Sequence, residues 1–209
     1  MVHVTARLRV AVLASGRGSN LHAILEAAAR PEFPAEIALV VSDRERAQAL
    51  ERARGHGVPA IVLDPKAYPD RDAYDAALGA LLQEHRIGLV CLAGFMRILG
   101  AEFVRAFAGC VLNVHPSLLP AFPGLAAQRQ ALEYGVKIAG ATVHLVDEGV
   151  DTGPIVLQAS VPVLPGDTET SLSARILAEE HRLYPEAIRL FANGQLRIVG
   201  RRVLEETTT

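Results

Sequence analysis

Short apolar runs alternate with amphipathic stretches along the first 115 residues of this 209-residue chain. The runs have the length of β-strands and are almost continuously apolar, which is typical of strands buried on both faces of a parallel sheet. They lie at residues 8–14, 37–41, 60–63, 87–93 and 110–114. The stretches between them predict helices at residues 20–29, 44–54 and 68–85. This order predicts an α/β fold with a single doubly wound, mostly parallel sheet flanked by helices.

The pattern changes after residue 115. A helix is predicted at residues 126–134 and two strands at 139–146 and 154–163, followed by a long helix at 168–192 and a short strand with a frayed tail. We expect antiparallel strands in this part of the sheet. Thr168 and Ser171 offer capping groups for the long helix. Without an internal repeat or a linker, residues 1–209 are expected to form one domain.

Charge and cysteine content exclude several classes of protein. There are 21 Lys and Arg against 23 Asp and Glu, so a nucleic-acid partner is not expected. No apolar run reaches the roughly 18 residues that a membrane helix needs, so no membrane partner is expected. The two cysteines, Cys91 and Cys110, lie in apolar runs and suggest no disulfide framework. A cytoplasmic location follows as an expectation.

A glycine-containing turn follows the first predicted strand. Its sequence is Ser-Gly-Arg-Gly-Ser-Asn-Leu at residues 15–21. Glycines permit a tight turn, and the free N–H groups of the helix that follows attract an anion such as phosphate. A dinucleotide fingerprint would need a third glycine where Leu21 stands, and the lysine of a P-loop is missing. The alternative is a simple tight turn with Asn20 as the helix cap.

A second candidate site lies at the end of the fifth predicted strand. The two-residue period of a strand places Asn113 and His115 on one face, and Pro116 ends the strand. Open α/β sheets bind ligands at the carboxyl ends of their parallel strands. An amide beside an imidazole suits oxyanion stabilisation with proton transfer. The alternative is a strand end whose two side chains only satisfy loop backbone.

Carboxylates in the segment 147–154 form a third candidate. A carboxylate beside an imidazole orients the ring and favours its protonated form. Asp147, Glu148 and Asp151 could each do this, or could simply form turns. His144 raises the alternative of a metal site with His115, but no HExxH or CxxC pattern is present, so no metal is expected.

Four motifs together carry a family resemblance. They are the Gly-Arg-Gly-Ser-Asn turn, LAGFMRIL at 92–99, LNVHPSLLP at 112–120 and TVHLVDEGVDTGPIVLQ at 142–158. The combination closely resembles the folate-dependent phosphoribosylglycinamide formyltransferases of purine biosynthesis, over about residues 8–198. The resemblance implies a Rossmann-like formyltransferase fold, with ribonucleotide phosphate binding mainly in the N-terminal half and folate binding and catalysis mainly in the C-terminal half.

The resemblance also implies a reaction and a catalytic trio. The amine of glycinamide ribonucleotide would attack the formyl carbon of 10-formyltetrahydrofolate, the co-substrate. Asn113 and protonated His115 match the family residues that hold the resulting oxyanion. Asp151 matches the residue that supports the imidazolium and helps to move the proton.

Binding residues follow from the same resemblance. Gly18, Ser19 and Asn20 match the turn that binds the ribonucleotide phosphate, and Glu180 matches a helix carboxylate that contacts the same substrate. Without the resemblance, the apolar side chains of Met96, Ile98 and Leu99 would predict core positions. The positions that match folate contacts are Arg71, Met96, Arg97, Ile98, Leu99, Asn113, Asp147, Glu148, Gly149, Val150 and Asp151.

Two related enzymes and one non-catalytic module are alternatives to this function. Formyltetrahydrofolate deformylase and methionyl-tRNA formyltransferase share the Asn-x-His-Pro-Ser core and the later aspartate, but carry an additional domain for which we expect no room here. The deformylase is the alternative enzyme. A non-catalytic dinucleotide-binding module is a further alternative, with Asp43 at the position of a ribose-binding acid. The expected partners are small-molecule substrates, and a homodimer is left open.

Overall fold

The computed structural model describes residues 7–206. The strands are β1 (Leu8–Leu13), β2 (Ala35–Ser42), β3 (Ala60–Val62), β4 (Leu89–Leu92), β5 (Val111–His115), β6 (Ile138–Leu145), β7 (Ile155–Pro162), β8 (Leu196–Val199) and β9 (Arg202–Glu205). The helices are α1 (Ser19–Ala28), α2 (Gln48–Gly55), α3 (Arg71–Glu84), α4 (Ala101–Ala106), α5 (Ala127–Tyr134) and α6 (Glu169–Ala192), with a 3₁₀ turn at Pro65–Ala67.

Within residues 7–206 the nine strands form one sheet in the order β3-β2-β1-β4-β5-β6-β7-β9-β8. The first five strands are parallel. β6 pairs antiparallel with β5 and with β7, and β8 pairs antiparallel with β9. This confirms the predicted fold class, including the antiparallel C-terminal part. The chain runs outward in both directions from β1 and β4, so their carboxyl ends form the switch point at which such sheets bind ligands.

Two hydrophobic cores cover the two faces of the sheet. Alternate residues of β1 divide between them: Val10 and Val12 face one core, and Ala11 and Leu13 face the other. Helices α1, α2, α5 and α6 contribute buried side chains to the first core, and α3 and α4 contribute to the second. Burial of β1 on both faces explains why its sequence is a continuous apolar run.

Several predicted boundaries were wrong. Helix α2 begins at Gln48 rather than at residue 44, and α3 begins at Arg71 rather than at residue 68. The start of α3 is fixed by Asp70, whose carboxylate accepts a hydrogen bond from the Ala73 N–H at 2.8 Å. Helix α4 was not predicted, because six residues are too few to display a helical period. The predicted frayed tail contains β9, which pairs with β8.

The long helix α6 begins as its sequence predicted. The Thr168 hydroxyl accepts a hydrogen bond from the Ser171 N–H, and the Ser171 hydroxyl accepts one from the Thr168 N–H. These reciprocal bonds form a capping box with serine in place of the usual acidic residue. In the part of the chain that the structure describes, no helix is both long and apolar enough to cross a membrane.

Candidate active site

The loops that follow β1 and β4 meet at the switch point of the sheet. The Ser15 N–H donates to the Gly94 carbonyl at 3.1 Å, and the Met96 N–H donates to the Ser15 hydroxyl at 2.8 Å. These bonds join the turn after β1 to the segment 96–99. Two of the sequence motifs therefore lie side by side although about 80 residues separate them in the chain.

The turn after β1 depends on the backbone of Gly18. This residue is the N-cap of α1 and has φ +69° and ψ +36°, in the left-handed region that favours glycine. A Cβ at this position would lie 2.9 Å from both Cα and Cβ of Ala49 on α2. As a glycine, the N-cap has no side chain with which to cap α1. The first N–H groups of the helix are therefore without a capping side chain, as an anion site requires. The alternative of Asn20 as the helix cap was wrong.

Asn20 instead contacts α6. Its side-chain N–H donates to Glu180 Oε2 at 2.7 Å, and the two residues are buried. Burial raises the pKa of the Glu180 carboxyl, and the hydrogen bond from Asn20 only partly offsets this. The Asn20 Oδ1 atom is buried and has no hydrogen-bond partner among residues 7–206. In this pair the Glu180 carboxylate accepts one hydrogen bond, from Asn20, among the described residues. A ligand could donate further hydrogen bonds to the carboxylate and to the Asn20 amide oxygen.

A second polar cluster lies where β5 meets β6. Asn113 and His115 share one face of β5, and the antiparallel register places His144 opposite Asn113. The Asn113 Nδ2 atom lies 3.2 Å from His144 Nε2 and 3.4 Å from Asp151 Oδ1. His115 Nδ1 lies 3.3 Å from Asp151 Oδ2, and His144 Nε2 lies 3.6 Å from Asp151 Oδ1. The structure therefore brings together the three residues of the implied catalytic trio.

The Asp151 carboxylate is held by the local backbone. Asp151 has φ +54°, a left-handed conformation that aspartate tolerates better than most residues. Its Oδ2 atom accepts a hydrogen bond from the Gly124 N–H at 2.7 Å. Burial alone would raise the pKa of this carboxyl, but His144, the Gly124 N–H and His115 together lower it below its ordinary value. Asp151 is therefore a stable negative charge beside two imidazoles.

Both ring nitrogens of His115 face oxygen acceptors. Nδ1 faces Asp151, and Nε2 lies 2.9 Å from the carbonyl oxygen of Phe122. A carbonyl and a carboxylate can only accept hydrogen bonds, so both contacts are satisfied together when each nitrogen carries a hydrogen. The ring of His115 is thus held between a loop carbonyl and a carboxylate.

The segment that contains Asp151 makes further contacts. Asp147 Oδ1 accepts hydrogen bonds from the Gly149 N–H at 3.1 Å and the Thr152 hydroxyl at 2.6 Å. Glu148 pairs with Arg105 at 2.9 Å, and the Val150 side chain is exposed. The backbone of this loop is stabilised by its own polar side chains while Val150 faces solvent.

The other expected folate contacts divide into exposed and buried residues. Met96 is 58 % exposed and Ile98 is 68 % exposed, so the interpretation of these two as core residues was wrong. Leu99 does belong to the core at 8 % exposure. The Arg97 guanidinium lies 4.6 Å from the centre of the Tyr74 ring. Arg71 begins α3. Burial raises the pKa of the Asp75 carboxyl, and the Gly100 N–H and the charges of Arg71 and Arg97 offset this only in part.

Sequence reasoning missed three contributors to the cluster at the β5–β6 junction. The sequence suggests His144 only as a metal ligand. Its role beside Asn113 depends on the register between β5 and β6, which pairs these two residues. The Gly124 N–H and the Phe122 carbonyl were missed because backbone groups in a loop give no sequence signal. The positive φ values of Phe122 and Gly124 shape this loop.

Comparison with known proteins identifies the family. Residues 8–188 match the family model described as "Formyl transferase", so the chain belongs to the formyl transferase family. This confirms the resemblance carried by its motifs. The chain is 48 % identical over 197 residues to phosphoribosylglycinamide formyltransferase of Mycobacterium tuberculosis, covering 94 % of this chain and 91 % of that protein. The crystal structure of glycinamide ribonucleotide transformylase 1 from Symbiobacterium toebii superimposes with a TM-score of 0.95 at 59 % identity, covering 96 % and 95 % of the two chains.

Longer proteins contain a similar region. The chain is 52 % identical over 197 residues to the trifunctional purine biosynthetic protein adenosine-3 of Drosophila pseudoobscura pseudoobscura, with 93 % of this chain covered. It spans only 14 % of the length of that protein. A formyltetrahydrofolate deformylase from Pseudomonas syringae is a more distant neighbour, at 29 % identity and a TM-score of 0.88, with 97 % of this chain and 67 % of that chain covered.

Proposed function

We propose that the protein transfers a formyl group from 10-formyltetrahydrofolate to the amine of glycinamide ribonucleotide, giving the N-formyl ribonucleotide and tetrahydrofolate in purine biosynthesis. The observation that carries the proposal is the contact of Asn113, His115 and Asp151 at the end of β5. Similarity to proteins named for this activity supports the choice of substrates. The deformylase alternative has weaker support, because its representative is only 29 % identical.

The transfer passes through a tetrahedral intermediate. The amine nitrogen attacks the formyl carbon, and negative charge develops on the former carbonyl oxygen. The side chain of Asn113 carries two N–H donors, and its contacts with His144 and Asp151 are long, at 3.2 Å and 3.4 Å, so in the proposal one donor leaves its contact and binds the oxyanion. The His115 imidazolium supplies a second, charged donor once substrate replaces the Phe122 carbonyl at Nε2.

Proton transfer completes the reaction. The attacking amine must lose a proton, and the departing folate nitrogen must gain one. Asp151 remains ionised because its pKa is lowered, so it stabilises the positive charge on His115. We propose that the His115 imidazolium gives its Nε2 proton to the departing folate nitrogen as the C–N bond breaks, and that the neutral ring then takes the proton lost by the attacking amine, directly or through one water molecule.

We assign the two substrates to two parts of the chain. In the proposal the ribonucleotide phosphate binds Gly18, Ser19 and Asn20 at the start of α1, and Glu180 contacts the same substrate. This division gives the N-terminal half mainly phosphate binding and the C-terminal half mainly folate binding and catalysis, within one domain. The proposed folate contacts are Arg71, Met96, Arg97, Ile98, Leu99, Asn113 and residues 147–151.

The remaining expectations accompany this function. The proposed substrates of the protein are small molecules, and the proposed formyl transfer needs no metal ion. A cytoplasmic location, a homodimer and the absence of nucleic-acid and membrane partners stay predictions.

A spectrophotometric formyl-transfer assay tests the proposal. Turnover of 10-formyltetrahydrofolate is measured with and without glycinamide ribonucleotide, for the wild type and for His115→Ala. We expect turnover that requires the ribonucleotide and falls by about 10²–10⁴-fold in the variant. His85→Ala, which removes a histidine remote from the cluster, is expected to retain wild-type turnover. Turnover without the ribonucleotide would instead support the deformylase, and no turnover in either assay would contradict both.

A further inference from the structure

Three metal-binding side chains converge outside the proposed active site. His22 and Glu26 lie one turn apart on α1, and His56 directly follows the last residue of α2. All three residues are exposed, and one ligating atom of each lies within 4.8 Å of the others. Among the His, Cys, Asp and Glu side chains of residues 7–206, this is the one group of three or more that meets this spacing.

The backbone of α2 orients the His56 ring. Nδ1 lies 2.9 Å from the Arg52 carbonyl oxygen, which only accepts hydrogen bonds, so Nδ1 carries the hydrogen. Nε2 then faces the cluster, at 3.1 Å from Glu26 Oε1. Metal-bound histidines commonly donate their second ring N–H to a carbonyl in this way. His56 is therefore already oriented as a ligand.

The donor set selects a class of metal. The His22 and His56 rings lie 6.0 Å apart between centres at an interplanar angle of 69°, so two imidazoles and one carboxylate share one surface site. Imidazole nitrogens with a carboxylate oxygen suit Zn²⁺ and its neighbours in the first transition row. Mg²⁺ and Ca²⁺ prefer sites composed of oxygen ligands.

We propose that His22, Glu26 and His56 bind one divalent late first-row transition metal ion, with water at the remaining position. The ion replaces the hydrogen that His56 Nε2 shares with Glu26. It thereby joins α1 to the end of α2. Both helices border the turn after β1, because α1 begins directly after Gly18 and Ala49 of α2 packs against Gly18. The bound ion fixes the spacing of the helices around this turn.

Isothermal titration calorimetry with ZnCl₂ on the full chain tests the site. We expect one Zn²⁺ ion per chain, and no binding when MgCl₂ is used instead. His22→Ala and His56→Ala should each weaken Zn²⁺ binding by at least about tenfold, since even outer-shell changes cost about 10–100-fold. Zn²⁺ should raise the Tm of the wild type but not of either variant.

His85→Ala is the matched control. His85 also directly follows the last residue of its helix, and its Nδ1 lies 3.0 Å from the Leu81 carbonyl oxygen, but it lies outside the cluster. This variant should bind Zn²⁺ as the wild type does. His115→Ala should do the same, which separates the proposed metal site from the active site.

Three results would overturn the proposal. The first is wild-type Zn²⁺ binding no tighter than about 1 mM. The second is binding that His22→Ala and His56→Ala leave unchanged. The third is binding that His115→Ala abolishes, because the ion would then occupy the cluster at the β5–β6 junction.

Discussion

Two carboxyl groups in this protein, the partly buried Asp151 and the buried Glu180, have opposite environments. Asp151 accepts a hydrogen bond from the Gly124 N–H and lies beside two imidazoles, and its pKa is lowered. Glu180 is buried with a hydrogen bond from Asn20 alone among the described residues, and its pKa is raised. The first charge is compensated by groups of the protein itself, whereas the second is compensated only in part.

The difference indicates how each region works. The compensated cluster is already assembled, as a group that must stabilise a transition state should be. The Asn20–Glu180 pair contains an amide oxygen with no partner in the part of the chain that the structure describes, so polar groups of a bound ligand can complete its hydrogen bonding. The comparison therefore predicts that substitutions in the first region mainly lower kcat, and that substitutions in the second mainly raise KM for the ribonucleotide.

Asp151→Asn is expected to have the largest effect. The variant loses the negative charge beside His115 but keeps the left-handed backbone, because asparagine tolerates φ near +54°. We expect kcat to fall by about 10²–10⁴-fold, with KM for the ribonucleotide nearly unchanged. Steady-state kinetics over a range of pH provides the measurement, with circular dichroism as the check on folding.

The shape of the pH profile separates two roles for Asp151. If the Asp151 carboxylate stabilises the positive charge on His115, Asp151→Asn changes the acidic side of the profile of kcat against pH and also lowers kcat. Because the pKa of Asp151 lies below the ordinary 3.8, its own protonation affects wild-type activity only in strongly acidic solution. A profile that is lower but unchanged in shape would show that Asp151 acts without influencing proton transfer.

Gly18→Val tests the phosphate turn and is expected to have the next largest effect. The substitution places a branched side chain at φ +69° and 2.9 Å from Ala49, so the turn must change its shape. We expect KM for the ribonucleotide to rise by at least about tenfold while folate binding changes little. Gly16→Val is the matched control, because a Cβ at Gly16 has no atom within 4 Å. Equal losses for both substrates in Gly18→Val would indicate a damaged fold instead.

The parallel half of the sheet could be predicted because its strands are buried on both faces. Burial of this kind produces continuous apolar runs such as that of β1, which differ clearly from the amphipathic helices between them. Helix α4 gave no such signal, because a six-residue helix completes fewer than two turns. Helix α2 was predicted too long because the arginines before Gln48 are as compatible with a loop as with a helix.

The candidate site could be predicted only in part. Periodicity placed Asn113 and His115 together because they are two residues apart on one strand. The contact between Asp151 and Gly124 spans 27 residues and depends on left-handed backbone at both, which no local pattern reports. Glu180 was identified by resemblance alone, since its contact with Asn20 spans 160 residues.

Glu180→Gln should have a smaller kinetic effect than the two preceding substitutions. The glutamine side chain preserves the size of the group but removes the charge that would meet the substrate. Hydrogen bonds to charged groups contribute about 1.5–3 kcal/mol and those between neutral groups about 0.5–1.5 kcal/mol, and glutamine still forms the latter, so a loss of about 1–1.5 kcal/mol should raise KM for the ribonucleotide about 5- to 12-fold. Glu179→Gln is the control, because Glu179 instead pairs with Arg182 on the same helix. A fall in kcat with KM unchanged would place Glu180 in the chemical step and contradict the comparison.

The smallest expected effect is on stability. A carboxyl whose pKa is raised in the folded state binds more protons there than in the unfolded chain, so the contribution of Glu180 to stability falls as pH rises above its ordinary pKa of 4.5. The Glu180→Gln variant has no carboxyl at this position, so this decrease in stability with rising pH is absent from it. Its free energy of unfolding relative to wild type, measured with denaturant, should therefore be higher at about pH 7 than at about pH 4. Glu179→Gln should show no such gain. A variant that becomes relatively more stable at neutral pH yet binds the ribonucleotide less well would show that the charge is retained for binding and not for folding.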